Sequence, residues 1–522
     1  MSVVFGIVLF SDKAAALVSA FNWAGIKALL SASKKLMITS VEFSLKKILR
    51  SSATFNLRPR LNNYLTYDDT SDRRCTQAIQ LAFGCRTEGF IAQLFHERFV
   101  HFQRLEEEPV KRLSVLFFSV MLLLLFSFPA AAVDHSFGGY WRVRAFTQQN
   151  FSGEDATGSQ DLTRTDSRTR LYYTARFSDD FKLVNKFEFD WVYGTETLGD
   201  IGADGKALEI KNSYIDFNTW QKKLNWKIGI QGYTIGRGFV FSDDFSGAVV
   251  QYRGDGWGLP FIWIKSYEGG MGADKNDQDV DIYTLNPYVK WGGWTFNPFL
   301  TYLFSDDGSA ADNRYSDVNA YYLGANIDFK IESWNLWGTG IYNGGSLQKA
   351  TTGRNLDLKG YLFAVGAKGV LGPVGLHGEF FYASGDDNPD DNDQDAFFPF
   401  NGVSYYWSEI MGKGIFDNQV SANSPGNVIT NIWAVNSGAD YNLLENLKLR
   451  FDIWYAALVE KDYFQADDTA LGTELDLKAT YSVMPNLNLD LVAAYLFRGD
   501  GTYAGPDSVD PFELGMRLAL SF

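Results

Sequence analysis

The sequence predicts an all-β fold, a transmembrane antiparallel up-and-down β-barrel of about eighteen strands. Three observations predict it. The last eleven residues alternate without a fault, with Phe512, Leu514, Met516, Leu518, Leu520 and Phe522 on one side and Glu513, Gly515, Arg517, Ala519 and Ser521 on the other. A period of two is that of a strand with one apolar and one polar face. The alternation recurs along most of the chain with charges on its second face; charges need water, so that face lines a lumen rather than a dry core. The connections alternate between short and long, as in a barrel with tight turns at one rim and loops at the other.

Taken in order, residues 1–109 are basic, mixed in pattern and unlike the remainder of the chain. Val110-Lys111-Arg112, the apolar run Leu113 to Phe128 and Pro129-Ala130-Ala131-Ala132-Val133-Asp134 then read as the charged, apolar and cleavage regions of a signal peptide over 110–133. Signal peptides belong at N-termini, so residues 1–109 are expected to be an upstream misreading or a leader, with translation starting near Val110. No run outside 113–128 is apolar enough for a transmembrane helix.

The barrel is expected over 134–522. Trp141 to Ala145 alternates, then Arg168 to Phe177, then Lys186 to Trp191. Later strands carry Tyr321/Leu323/Ala325/Ile327/Phe329, Leu447/Leu449/Phe451/Ile453/Tyr455, Leu475/Leu477/Ala479/Tyr481 and Leu487/Leu489/Leu491/Ala493/Tyr495. Between these fall Asp328, Lys448, Arg450, Asp452, Glu474, Asp476, Lys478 and Asp490. Short connections are expected near 178–181, 218–223, 254–257, 291–293, 331–333, 371–373, 442–446 and 484–486, and long ones near 147–163, 194–206, 232–246, 268–279, 305–317, 343–355, 384–426, 459–470 and 499–510. Seventeen connections join eighteen strands and put both ends of the barrel at the short-turn, periplasmic rim. Alternation slips near 207–217 and 279–290, so sixteen strands is the alternative count.

Charge and composition exclude other classes. The chain carries a formal −15, whereas residues 1–112 hold sixteen Lys+Arg against ten Asp+Glu, a net of about +6 that leaves about −21 for the rest. Nucleic-acid binding is not expected of so acidic a barrel. Both cysteines, Cys75 and Cys85, lie before the barrel, which suits an exported segment free of unwanted disulfides. Only His135 and His377 come after the signal peptide, and no serine nucleophile motif accompanies His377 and Glu379, so no enzyme and no cofactor are expected.

Glu379-Phe380-Phe381-Tyr382-Ala383-Ser384-Gly385-Asp386-Asp387, followed by an acidic stretch and Phe397-Phe398-Pro399-Phe400, resembles the alginate-export family of outer-membrane porins. Glu209 to Tyr214, Gly229-Ile230-Gln231 with Gly236-Arg237-Gly238 and Asp243-Asp244, and Leu471 to Leu477 agree with it, over most of 134–522. The resemblance implies an eighteen-stranded barrel in the outer membrane of a Gram-negative bacterium and a pore for an anionic polysaccharide or other solute. Ile230 and Lys211 stand where members often have Arg. The chain's end also resembles the aromatic signal that barrel assembly machinery reads.

The residues expected to line the pore and select the solute are Arg142, Arg144, Arg168, Arg170 and Arg176, with Lys186, Glu188, Asp190, Arg450, Asp452, Glu474 and Arg517. A cationic ladder in a low-dielectric wall concentrates anions. The competing expectation is that these arginines pair with Glu188, Asp190, Glu474, Asp490 and Glu513 and set no selectivity. No metal is expected; Asp386, Asp387, Asp390, Asp391, Asp393 and Asp395 form a weak Ca²⁺ candidate whose spacing matches no EF-hand and which also reads as a solvated outer loop near lipopolysaccharide. The aromatic-rich segment with Phe397, Phe398, Phe400, Tyr405, Tyr406 and Trp407 is expected to fold into the mouth or lumen as a constriction. A monomer is expected. The alternative function is a sheath or surface platform for an electron carrier or an adhesion partner.

Overall fold

The computed structural model describes residues 133–155, 161–195, 208–268, 279–305, 315–388 and 390–522. The expectations for 1–109 and for the signal peptide up to residue 132 lie outside the described residues. The described residues form eighteen strands in order: β1 Asp134–Gln149, β2 Leu162–Ser178, β3 Phe181–Val192, β4 Glu209–Thr219, β5 Leu224–Ile235, β6 Phe241–Arg253, β7 Trp257–Tyr267, β8 in two pieces (Val280–Leu285 and Tyr288–Trp291), β9 Trp294–Ser305, β10 Tyr315–Ile331, β11 Trp334–Lys349, β12 in two pieces (Asn355–Leu358 and Tyr361–Leu371), β13 Val374–Ala383, β14 Ile432–Leu444, β15 Leu447–Leu458, β16 Ala470–Met484, β17 Leu487–Arg498 and β18 Phe512–Ser521. Each pairs antiparallel with its sequence neighbours, and β1 pairs with both β2 and β18; a further two-residue strand, Asp393–Gln394, lies outside this ring and pairs parallel with Asn355–Leu358. Arg142 thus lies opposite Arg168 on one side and Ala519 on the other, and the sheet closes without an edge.

The two places where alternation slips have local causes. In β4 the register shifts between Lys186 and Phe187 of its neighbour, so one extra residue interrupts the period. In β8 the break falls at Asn286-Pro287, where proline has no N–H for the ladder. The Asn297 amide bridges that gap by donating to Asn286 Oδ1 (2.5 Å) and to the Pro287 carbonyl (2.7 Å).

All eight short turns and nine longer connections fall where the sequence puts them, but two are shorter than expected. The 232–246 connection is only 236–240, and 343–355 only 350–354. Strands β5, β6 and β11 run on past the apolar band, where Ser242, Asp243, Asp244 and Ser346 keep pairing although they no longer alternate with apolar residues.

The two faces differ as a membrane barrel requires. Outward positions such as Phe261, Trp263, Leu300, Leu323, Phe363, Val365, Phe451, Ile453, Leu477, Leu491, Leu514 and Met516 are exposed. So large an apolar surface is a liability in water and matches lipid hydrocarbon. Aromatic pairs gird it: Phe177–Phe181, Tyr252–Trp257 and Trp294–Phe329 near the short turns, and Tyr361–Tyr382, Trp433–Tyr455 and Tyr495–Phe497 near the loops. The buried hydrophobic core lies inside the barrel, where Phe397, Phe398, Phe400, Ile410 and Met411 pack on the inward faces of the strands.

Candidate functional site

Residues 384–431, the connection between β13 and β14, fold into the lumen. Tyr322 of β10 donates its hydroxyl to the Phe398 carbonyl (2.7 Å), and Ser242 of β6 donates its N–H to Gly402 O (2.7 Å). The chain then returns across the barrel. Tyr405 stacks on Phe239 at 4.0 Å and donates to Glu379 of β13, and Trp407 packs edge-on against Trp454 of β15 at 5.1 Å. The segment ends on β1, where Arg144 donates to Phe416 O (2.6 Å) and Phe146 stacks on Phe416 at 4.6 Å. Strands β6 and β15 stand nine apart in a ring of eighteen, so the loop spans opposite walls. Gly515 of β18 makes room for it: a Cβ there would come within 2.4 Å of the Phe416 ring.

A second element enters from the wall. The turn between β5 and β6 carries Arg237 at φ 58°, between Gly236 and Gly238, which themselves sit at φ 59° and 99°, a backbone open to residues without a Cβ. Its guanidinium pairs with Asp328 of β10 (2.7 Å), donates to Thr339 of β11 (3.0 Å) and lies 4.9 Å from the Trp337 ring. The turn is thereby pinned to strands four to six places away.

The expected selectivity residues face inward, but most of the cations are paired. Arg144 grips Asp166 bidentately (2.8 and 2.7 Å). Arg168 pairs with Asp190 and Arg170 with Glu188. Arg450 pairs with Asp452 (2.7 Å) and Arg517 with Asp490 (2.7 Å). Lys186 lies 5.3 Å from the Tyr172 ring, and Arg176 is exposed at the periplasmic rim. Of the two expectations, the geometry favours pairing over a free ladder: cross-strand carboxylates at the same register neutralise Arg144, Arg168, Arg170 and Arg517, and Asp452, two residues along the same strand, neutralises Arg450. Arg142 is different. It is 8% exposed, its Nε has no hydrogen-bond partner, and no carboxylate pairs with it among the described residues. Glu474 does not line open lumen. It is fully buried beneath the loop and accepts from Ile410 N (2.7 Å), Met411 N (2.9 Å) and Ser408 Oγ (3.0 Å).

Unpaired positive charge instead falls on lysines outside the expected selectivity set. Lys227, Lys290 and Lys368 face the lumen in the periplasmic half, and Lys478 faces it nearer mid-height. None of them has a carboxylate within ion-pair distance among the described residues; Lys227 and Lys290 lie over the Tyr214 and Tyr288 rings instead. The carboxylates of the same half, Asp216, Asp328, Asp440, Asp452 and Asp490, each have a basic partner. Alternation marked only Lys478 as inward; register then sets Thr295 opposite Lys290 and His377 opposite Lys368, and Asp216, opposite Lys227, is taken by Lys182 (3.3 Å). His377 sits between Asp452 (2.6 Å) and Asp440 (3.7 Å), as part of the wall.

The acidic stretch brings only Asp386, Asp387 and Asp395 within 4.8 Å of one another. Burial pushes the Asp386 and Asp395 carboxyls up. Asp391 caps the Asp393 N–H (2.8 Å) and accepts from Asn388, Asp393 pairs with Lys359, and Asp390 is exposed. The six-residue Ca²⁺ candidate is thereby narrowed to these three, the only members of it whose carboxylate oxygens converge among the described residues.

No protein-family model matches the chain, and no curated protein does. The chain is similar to solved outer-membrane proteins. One is Pseudomonas aeruginosa OpdK with vanillate, at 13% identity over 74% of this chain and 98% of that one, with a TM-score of 0.49. Others are Acinetobacter baumannii OccAB2 (12%, 74% and 98%, 0.49) and Pseudomonas aeruginosa OprD (13%, 75% and 94%, 0.48). The resemblance to alginate-export porins gains no support from these comparisons.

Proposed function

We propose that the chain is a non-enzymatic diffusion channel of the outer membrane that passes small polar solutes, with a preference for anions set in its periplasmic half. The observation that carries this is the set of unpaired inward cations, Lys227, Lys290, Lys368, Arg142 and Arg176, beside periplasmic-half carboxylates, Asp216, Asp328, Asp440, Asp452 and Asp490, that already have basic partners. Such cations raise the local anion concentration in a lumen bounded by low dielectric. The in-folded loop and the Arg237 turn narrow the passage, which favours small anionic solutes over a polysaccharide chain. The arginines of β1 and β2 serve mainly as paired struts between strands. The protein reaches the membrane through barrel assembly machinery, sits in lipid beside lipopolysaccharide and acts as a monomer.

Purified full-length protein in planar bilayers tests the proposal. Conductance with a reversal potential favouring Cl⁻ over K⁺ in a KCl gradient is expected. Folded protein that conducts nothing would overturn the channel, and a cation-favouring potential would overturn the selectivity. A sheath for an electron carrier would show instead as a silent barrel that co-purifies with a haem protein.

A further inference from the structure

The segment Ser408 to Phe416 of the lumen loop is seated on a bowl of carboxyl groups. Glu474 of β16 takes the three donors described above. Asp476, two residues on along the same inward face, receives the Glu409 N–H at 3.4 Å. Glu409 turns its own carboxyl back to accept Ile415 N at 2.7 Å. Glu513 of β18 is held at one oxygen by Gln148 Nε2 at 2.6 Å. Asp476 Oδ1 and Glu513 Oε1 are buried without a hydrogen-bond partner.

The charges around this bowl do not balance. The basic groups facing it are Lys478 of β16, Arg517 of β18, Arg144 of β1 and Arg450 of β15. Arg517 is committed to Asp490, Arg144 to Asp166 and Arg450 to Asp452, the last of which adds a further carboxylate nearby. Strand β17 contributes Val492, Ala494 and Leu496. On the loop, Lys413 pairs with Asp417 (3.4 Å). Lys478 alone is left to face four carboxyls. Buried carboxylates without partners are strongly disfavoured and take up protons instead. Asp476 stands two residues from Glu474 on the same inward face, and its Oδ1 is buried with no partner, so a proton on this pair removes an uncompensated charge.

We propose that this seat is a proton-operated latch on the channel: protons held among Glu409, Glu474, Asp476 and Glu513 keep the loop seated, and their loss at alkaline pH unseats it and widens the passage. The latch rests on the channel reading above. Burial pushes the Glu409 carboxyl up. A group raised in this way supports seating fully below the ordinary carboxylate range and loses that support as the pH rises through its raised value.

Single-channel conductance of the full chain between pH 6 and pH 10 tests it. In the wild type, the fraction of time spent in a larger conductance state is expected to rise with pH, up to about tenfold per pH unit for each proton released. Asp476→Asn with Glu513→Gln replaces both orphaned carboxyls with amides that do not ionise, so this double variant is expected to stay in the small state across the range. Glu409→Gln, which changes only the loop and leaves barrel assembly untouched, is expected to flatten the response in part. Wild-type conductance that ignores pH, or a folded double variant that follows pH as the wild type does, overturns the latch and leaves the channel standing. Folded wild type that conducts at no pH overturns both.

Discussion

Replacing Lys227, Lys290 and Lys368 together by Gln should shift the channel from anion preference towards neutrality, with a size set by ionic strength. These three lie inward on β5, β8 and β12, so their charge acts on the lumen from separate parts of the wall. A unit charge about 10 Å from the passing ion contributes roughly 0.4 kcal/mol in water before screening. At 0.01 M salt the Debye length is about 30 Å, which leaves roughly 0.3 kcal/mol per charge and roughly 0.9 kcal/mol for three. That is about a 4.5-fold loss of anion concentration and, with the opposite sign for cations, about a 20-fold change in permeability ratio. At 1 M the Debye length of about 3 Å reduces the change in permeability ratio to under roughly 20%.

The assay is the reversal potential across a KCl gradient, wild type against triple variant, at both salt concentrations. None of the three lysines pairs with a carboxylate among the described residues, so their removal strands no buried charge and the variant should fold. An unchanged ratio at low salt from a folded variant would refute the reasoning. It would mean that ions pass where these lysines do not reach, or that the narrowing at the loop alone decides.

Other outcomes rest on single contacts. Arg168→Gln with Arg170→Gln should make the channel more cation-permeable and lower its thermal midpoint, because it leaves Glu188 and Asp190 unpaired; reversal potential and a melt in detergent check both. Arg144→Ala should destabilise by up to about 3 kcal/mol, since it leaves buried Asp166 only the longer pair with Arg164 (3.4 Å) and frees the Ile415 and Phe416 carbonyls, and should make single-channel currents noisier. Deleting Phe522 should lower the amount of heat-modifiable barrel at the surface more than it lowers the stability of barrels already formed, because its ring is 61% exposed. Native protein should fractionate with the outer membrane and begin near Val133 or Asp134, as N-terminal sequencing would show.

The fold was legible because a membrane barrel writes it twice. Lipid fixes one face of each strand and water the other, so a period of two survives wherever the strand crosses the bilayer. Where lipid stops acting, legibility stops as well. Ser242, Asp243 and Asp244 continue β6 into solvent, where no apolar face is demanded, and so resemble a loop in sequence. At Asn286-Pro287 the backbone breaks the rule, and the repair comes from Asn297 on another strand, which no local pattern reveals.

The site was less legible, because alternation gives the face of a residue but not its neighbour. Arg168 and Lys290 are alike in sequence: each is a cation on an inward position of a strand. Register separates them, placing Asp190 opposite Arg168 and Thr295 opposite Lys290. One becomes a strut and the other a free charge. The loop is a different case. Its aromatic residues pointed to an inward fold, and Phe397, Phe398 and Trp407 are indeed packed inside. What the loop's backbone docks on is the Glu474 carboxyl, which in sequence looked like one more water-facing charge. A charged residue on the polar face of a strand therefore has two opposite fates, solvated where the lumen is open and buried where a loop covers it. Only the path of the loop, set by contacts such as Tyr322 with Phe398 and Arg144 with Phe416, decides between them.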